Sequence, residues 1–197
     1  MRFLLVVGWL MIPVAVAAYH FGPGQDRLRM DEIADLLAQA DAQVAADRWT
    51  EAAETYEQAL RLLPADRVHE NRSIRLARAK AQMRARQLPS AHQDLQGLVD
   101  ELKDDATADA RQLADARAAL ANAQYYMTWL MRLEGLSRDL WEPEIEAARQ
   151  TYRLLADQAT AGGDDQAAKG QRENLEATIR LARMELSELQ GLPLPSQ

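Results

Sequence analysis

Helical spacing of the apolar residues is the feature that most constrains this chain. Between residues 26 and 190, apolar side chains recur three and four positions apart, and no stretch alternates with the period of two that a β-strand requires. Alanine, leucine, glutamate, glutamine and arginine are abundant, and all five favour helices. The pattern therefore predicts an all-α protein without a sheet. Prolines, glycines and capping residues place about seven helices, at 26–46, 50–63, 66–86, 90–103, 107–133, 142–161 and 164–190.

The chain begins with a long apolar run. Residues 3–21 contain no formal charge, and a helix of that length spans roughly 28 Å, close to the hydrocarbon thickness of a bilayer. One interpretation is a transmembrane anchor at residues 1–21, with residues 3–21 in the membrane. A hinge at 22–25, the helical domain at 26–190 and a C-terminal tail at 191–197 would follow.

The alternative for the same run is a signal peptide cleaved after Ala17. Pro13 ends the apolar helix, and Ala15-Val16-Ala17 matches the small residues of a cleavage site. Both interpretations favour a bacterial domain on the periplasmic side, either tethered as a single-pass membrane protein or released as a soluble one.

Residues 47–64 carry a recognisable half-repeat, DRWTEAAETYEQALRLLP. Two aromatic residues, two alanines and a closing proline follow the spacing of the second half of a tetratricopeptide repeat (TPR): Trp49, Ala52, Tyr56, Ala59 and Pro64. Small residues at 52 and 59 let two helices approach closely while Tyr56 fills the space between them. This segment closely resembles the TPR family, and the whole unit spans about 33–66.

Two degenerate units follow. The second places Ala79 and Leu88 at family positions, after about five extra residues; the third combines residues 120–123 with Tyr152, with about fifteen extra residues between its helices. The resemblance covers roughly 33–161. The resemblance implies an antiparallel helix-pair solenoid that binds proteins or peptides and has no catalytic activity. In this chain we expect one N-terminal transmembrane helix before the solenoid.

Charge is distributed unevenly along the helices. The helix predicted at 66–86 is strongly basic, whereas residues 94–115 are mostly acidic. The simplest interpretation is that these neighbouring helices face each other and neutralise one another. The alternative is a surface for an acidic peptide or for anionic lipid head groups.

Mapping the TPR pattern onto the first helix of each pair predicts which residues line a concave face. The candidate partner-binding residues are Leu76, Lys80, Met83, Arg84, Asn122, Tyr125, Tyr126 and Trp129. Lys80 and Asn122 resemble the cation and amide of carboxylate-binding TPR domains. Dense aromatic runs such as 125–131 more often form core, so core packing is the competing interpretation for this part of the set.

The sequence offers no chemistry for catalysis. It has no cysteine and three histidines without a ligand-like cluster, and it contains no nucleotide-binding or hydrolase motif. The net charge of −7 argues against a nucleic-acid partner. We therefore expect a membrane-tethered adaptor that binds a protein or peptide, without cofactor, metal or enzymatic activity. The alternative is an accessory structural subunit of a larger membrane complex.

Overall fold

The computed structural model describes residues 9, 11 and 23–190. Within residues 23–190 the chain forms eight α-helices and no strand, which confirms the all-α prediction for this part of the chain. The helices are α1 Pro23–Ala45, α2 Trp49–Leu62, α3 Val68–Arg84, α4 Leu88–Asp104, α5 Ala110–Leu133, α6 Arg138–Ala161, α7 Asp165–Arg183 and α8 Leu186–Gln190.

Packing follows the order of the chain. From α1 to α7 each helix packs against the next, α3 also contacts α5, and α8 returns to α5. The buried apolar residues of the described chain form four clusters along this row, and the largest joins α3, α4 and α5 around Leu88, Leu95 and Leu98, which are almost fully buried. Alanines such as Ala52 and Ala79 have no exposed surface, so neighbouring backbones approach closely at these points.

Ion pairs between α3 and α4 confirm the predicted neutralisation. Arg72 is buried and donates to Glu101 at 2.8 Å and to Asp105 at 2.7 Å, while Arg75 reaches the other Glu101 oxygen at 2.5 Å. Hydrogen bonds from Thr107, and then from Arg72, lower the pKa of Asp105 to about 2. Arg72 and Arg75 on the basic side of α3 are therefore paired with carboxylates in α4 and at its C-terminal end.

Arg78 extends this ladder of charges to a third helix. Its guanidinium binds Glu57 of α2 and, at 2.6 Å, Asp94 of α4. The Arg78 side chain is 17% exposed, and both carboxylates are about one third exposed. Arg78 thus links α3 to both of its neighbours, α2 and α4.

Four of the turns share one geometry. Asp47, Arg86, Gly135 and Gly163 have positive φ angles of 55°, 62°, 74° and 75°. In each turn the backbone N–H of the following residue donates to the carbonyl five positions earlier in the chain, as Arg48 does to Gln43. This is the left-handed closure that satisfies the last carbonyls of a helix, and glycine adopts it without strain.

Most helix boundaries lie within three residues of the prediction, and the two largest differences fall in the C-terminal part of the domain. The sixth helix begins at Arg138 rather than at 142, so Pro143 lies inside the helix and not at its first position. Pro143 has no backbone N–H to donate to the carbonyl of Asp139. The extra turn is tolerated because Asp139 is exposed, so that water can bind this carbonyl.

The last predicted helix, 164–190, is interrupted. It ends at Arg183, Met184 is extended, and α8 follows. The side chain of Arg132 on α5 donates to the carbonyls of Leu181 and Met184, which satisfies the end of α7. The short α8 then turns back and buries Leu189 against α5.

The apolar segment 3–21 lies outside the described residues except for Trp9 and Met11, and so does the tail 191–197. Among the helices that the structure describes, none is long and apolar enough to cross a membrane. Helix α1 begins at Pro23, within the predicted hinge. The anchor and the cleaved signal peptide both remain predictions.

Candidate partner-binding groove

A groove of about 430 Å³ opens between α3, α5 and α7. We call it the inner groove. It is lined by Lys80, Met83 and Arg84 from α3, by Asp115, Ala118, Ala119, Asn122 and Tyr126 from α5, and by Tyr152 and Asn174 from α6 and α7.

Helical periodicity places these side chains on common faces. Lys80 and Arg84 are one turn apart on α3, with Met83 between them, and positions 115, 118, 122 and 126 form one stripe of α5. Two members of the α5 set are alanines, so the helix surface recedes at the middle of the stripe. A hollow therefore remains where larger side chains would have filled the space between α3 and α7.

The groove has an apolar floor and a polar rim. Met83, Ala119 and Tyr152 are buried, at 5%, 7% and 4% exposure, and form its floor. The rim consists of exposed charged and amide side chains: Lys80, Arg84, Asp115, Asn122 and Asn174. This arrangement is typical of binding pockets, in which apolar area supplies affinity and a few polar groups fix orientation.

The charges of the rim are not neutralised by their neighbours. No carboxylate within residues 23–190 lies within ion-pair distance of Lys80 or Arg84, whereas Arg72, Arg75 and Arg78 all have one. The Arg84 guanidinium instead lies 5.4 Å from the centre of the Trp49 ring, as a cation–π contact. The inner side of α3 thus carries cations that are available to a bound anion.

Two tyrosines bring phenol groups to the groove. Burial raises the pKa of Tyr152, and the neighbouring tyrosines raise it further. Tyr126 packs edge-on against Tyr125, with ring centres 5.5 Å apart. Tyr125 therefore supports the Tyr126 ring in the wall of the groove.

The structure brings together five of the eight candidate residues: Lys80, Met83, Arg84, Asn122 and Tyr126. Leu76 and Trp129 instead belong to the core, at 8% and 6% exposure, which disfavours a direct role in binding. Tyr125 is half-buried and packs against the cluster that contains Trp129.

Sequence reasoning missed other members of the groove. Asp115 and Ala118 precede Asn122 by whole turns of α5, so the helical period could have found them. Tyr152 looked like an ordinary core position, and it lines the groove from beneath. Asn174 carried no signal, because it lies on α7, which packs against α6, and only the tertiary arrangement brings it to the groove.

A second groove, of about 330 Å³, lies on the other side of α5. This outer groove runs between α4 and α6 and includes Val99, Lys103, Arg117, Ala147 and Gln150. At one side His92 and Glu144 join the two helices at 3.1 Å. The outer groove provides matched control positions for tests of the inner one.

The aromatic run on α5 is mainly core. Trp129 and Trp141 are buried together, and the Arg132 guanidinium lies 4.8 Å from the centre of the Trp141 ring. The exposed large apolar side chains in and directly after the run are Leu130, Leu136 and Leu140, at 36%, 39% and 54% exposure. The core interpretation therefore accounts for most of this segment.

Within residues 9, 11 and 23–190, no cluster of three or more acidic or histidine side chains could hold a metal ion. No protein-family model matches the chain, and no curated protein matches it. The groove must therefore be interpreted from its own chemistry.

Proposed function

We propose that this protein is a non-catalytic, membrane-tethered adaptor whose inner groove holds a segment of a protein partner. The observation that carries the proposal is the combination of an apolar floor with unneutralised cations at the rim. Lys80 and Arg84 orient an acidic group of the partner, and the floor receives an apolar side chain. In such interfaces the buried anchor contributes most of the affinity and charge contributes orientation.

We further propose a TPR-like helix-pair solenoid for the domain. The left-handed residues Asp47, Arg86 and Gly135 close the turns of the three helix pairs α1–α2, α3–α4 and α5–α6. They recur after 39 and then 49 residues, which exceeds the ~34-residue period of the family by about five and about fifteen residues. The excess of about five agrees with the one that the sequence pattern indicated between the first two units, whereas the pattern placed its fifteen extra residues between the two helices of the third unit. Contact between α3 and α5 fits adjacent first helices of successive pairs.

A second candidate function is an accessory structural subunit of a membrane complex. The observation that favours it is a set of exposed leucines on and beside α6, namely Leu136, Leu140 and Leu154, at 39–54% exposure. Large apolar side chains on one helix are suited to a permanent contact with another subunit. Under this alternative the inner groove would be unoccupied.

Site-specific crosslinking in intact membranes distinguishes the two functions. A photoreactive amino acid is placed at Asn122 in the inner groove, at Gln150 in the outer groove, or at Leu140. The adaptor proposal expects a discrete crosslinked partner from position 122 and none from 150. A crosslink from position 140 alone would reject the adaptor and support the structural subunit.

Charge reversal then tests the rim. Lys80→Glu with Arg84→Glu should abolish the crosslink from position 122. The matched control is Arg111→Glu with Arg153→Glu, because both arginines are exposed and line neither groove. Thermal unfolding followed by circular dichroism verifies that both double variants are folded. An unchanged yield from the inner-groove variant would show that its cations do not bind the partner.

A further inference from the structure

The hollow above Ala118 and Ala119 indicates which side chain the partner inserts. The volume of the groove, about 430 Å³, lies within the range of small-molecule pockets. An anchor that fills it must be bulky, because a small side chain would leave much of the floor in contact with water.

The lining favours an aromatic ring over an aliphatic side chain of similar size. Met83 contributes a thioether and Tyr126 and Tyr152 contribute aromatic rings, and both kinds of group attract aromatic rings beyond simple area burial. Lys80 and Arg84 add cations at the rim, and Arg84 already makes a cation–π contact with Trp49. A leucine would gain only the apolar area.

The rim on α5 and α7 favours a ring with a polar tip. Asp115 makes no ion pair within residues 23–190, and Asn122 and Asn174 add amides to the lining of the same groove. A carboxylate accepts a hydrogen bond from a phenol hydroxyl or an indole N–H, neither of which phenylalanine has. An exposed carboxylate without an ion-pair partner, at the edge of an apolar hollow, therefore complements an aromatic donor.

We propose that the inner groove binds the side chain of a tyrosine or tryptophan in the partner segment, with the ring over Ala118 and Ala119 and the polar tip at Asp115. This inference rests on the proposed function, because it names the residue class that the same groove recognises. It makes Ala118 and Asp115, neither of which the sequence pattern indicated, the specificity-determining positions.

The test uses methionine-methyl NMR of the whole 197-residue chain. Met83 lies on the floor of the groove, whereas Met184 lies beside Arg183 on a different surface and serves as the internal reference. The probes are the N-acetyl amides of tyrosine, tryptophan, phenylalanine and leucine. We expect a saturable upfield ring-current shift of the Met83 methyl with the tyrosine or tryptophan amide, and at least about tenfold weaker binding of the leucine amide.

Two substitutions complete the design. Ala118→Leu fills the hollow and should abolish the Met83 shift, while Ala147→Leu, the same change in the outer groove, should leave it intact. Asp115→Asn should reduce the preference for tyrosine over phenylalanine while the binding of phenylalanine is retained. A Met83 methyl that responds equally to leucine and aromatic amides, or that still responds in Ala118→Leu, overturns the inference.

The outcome is separable from that of the proposed function. If the crosslink from position 122 is lost on charge reversal but persists in Ala118→Leu, the adaptor stands and the aromatic anchor is wrong. If the crosslink is absent in the wild-type chain, the adaptor function itself fails, whatever the probes show.

Discussion

Removing the charge of Arg78 tests whether the ladder of ion pairs holds the first two helix pairs together. Arg78→Met keeps the apolar stem and the helix propensity and deletes the bonds to Glu57 and Asp94. A protected charge-assisted bond contributes about 1.5–3 kcal/mol, but both carboxylates are about one third exposed and solvent screens them. We expect a total loss of about 1–3 kcal/mol, which lowers the melting temperature by about 2–12 °C for a domain of this size.

Neutralising the two carboxylates instead of the guanidinium should lower the free energy of unfolding by more. Glu57→Gln with Asp94→Asn leaves the guanidinium 17% exposed and without a carboxylate, and its Nε has no hydrogen-bond partner to begin with. An uncompensated charge in a largely buried position is more costly than two carboxylates that water can reach. The control is Arg61→Met, whose ion pair is 3.4 Å long with the arginine 72% exposed, and which should change stability by less than about 0.5 kcal/mol.

Urea unfolding followed by circular dichroism gives the three free energies. The reasoning is refuted if the acid double variant is as stable as Arg78→Met, or if Arg78→Met is indistinguishable from Arg61→Met. Either result would mean that apolar packing alone fixes α3 between its neighbours.

Three further predictions concern packing, turns and pH. Tyr56→Ala should cost ~3–5 kcal/mol by leaving a cavity, and Ala52→Leu ~1–3 kcal/mol by overpacking, since the two residues are 5% and 0% exposed; melting within a degree of wild type would contradict this. Gly135→Ala should destabilise by about 1 kcal/mol whereas Arg86→Gly should stabilise slightly, because both positions require positive φ; the two shifts in melting temperature must have opposite signs. Burial raises the pKa of Tyr152 in the folded state, so the unfolded chain loses its proton first and stability should fall above about pH 10; unfolding midpoints measured across that range should fall less steeply in Tyr152→Phe.

Helix identity and the pairing of charges were readable from the sequence because both depend on local spacing. Apolar residues at intervals of three and four fix which side of a helix is buried, whatever it packs against. Arg72, Arg75 and Arg78 lie on one side of α3, and residues 94–115, which follow α3 in the chain, are mostly acidic. With short connections, neighbours in sequence become neighbours in space.

The break at Met184 could not be predicted in the same way. No glycine or proline marks it, and the heptad-like spacing runs through it. The end of α7 is set by Arg132, about fifty residues earlier, which supplies donors to the carbonyls of Leu181 and Met184. A helix end that is capped by a distant side chain leaves no local signal.

The candidate site was predictable only in part, for a related reason. Spacing alone places Lys80 and Arg84 on one face of α3. It does not say whether carboxylates of a neighbouring helix pack against that face, as they do against the face with the paired arginines. In a chain with thirty acidic residues and twenty-three basic ones, a carboxylate could have neutralised either face. At this groove Lys80, Arg84 and Asp115 have no ion-pair partner within residues 23–190, whereas Arg72, Arg75 and Arg78 all have one. Departures of this kind from otherwise consistent packing are expected where a surface serves a ligand rather than the fold.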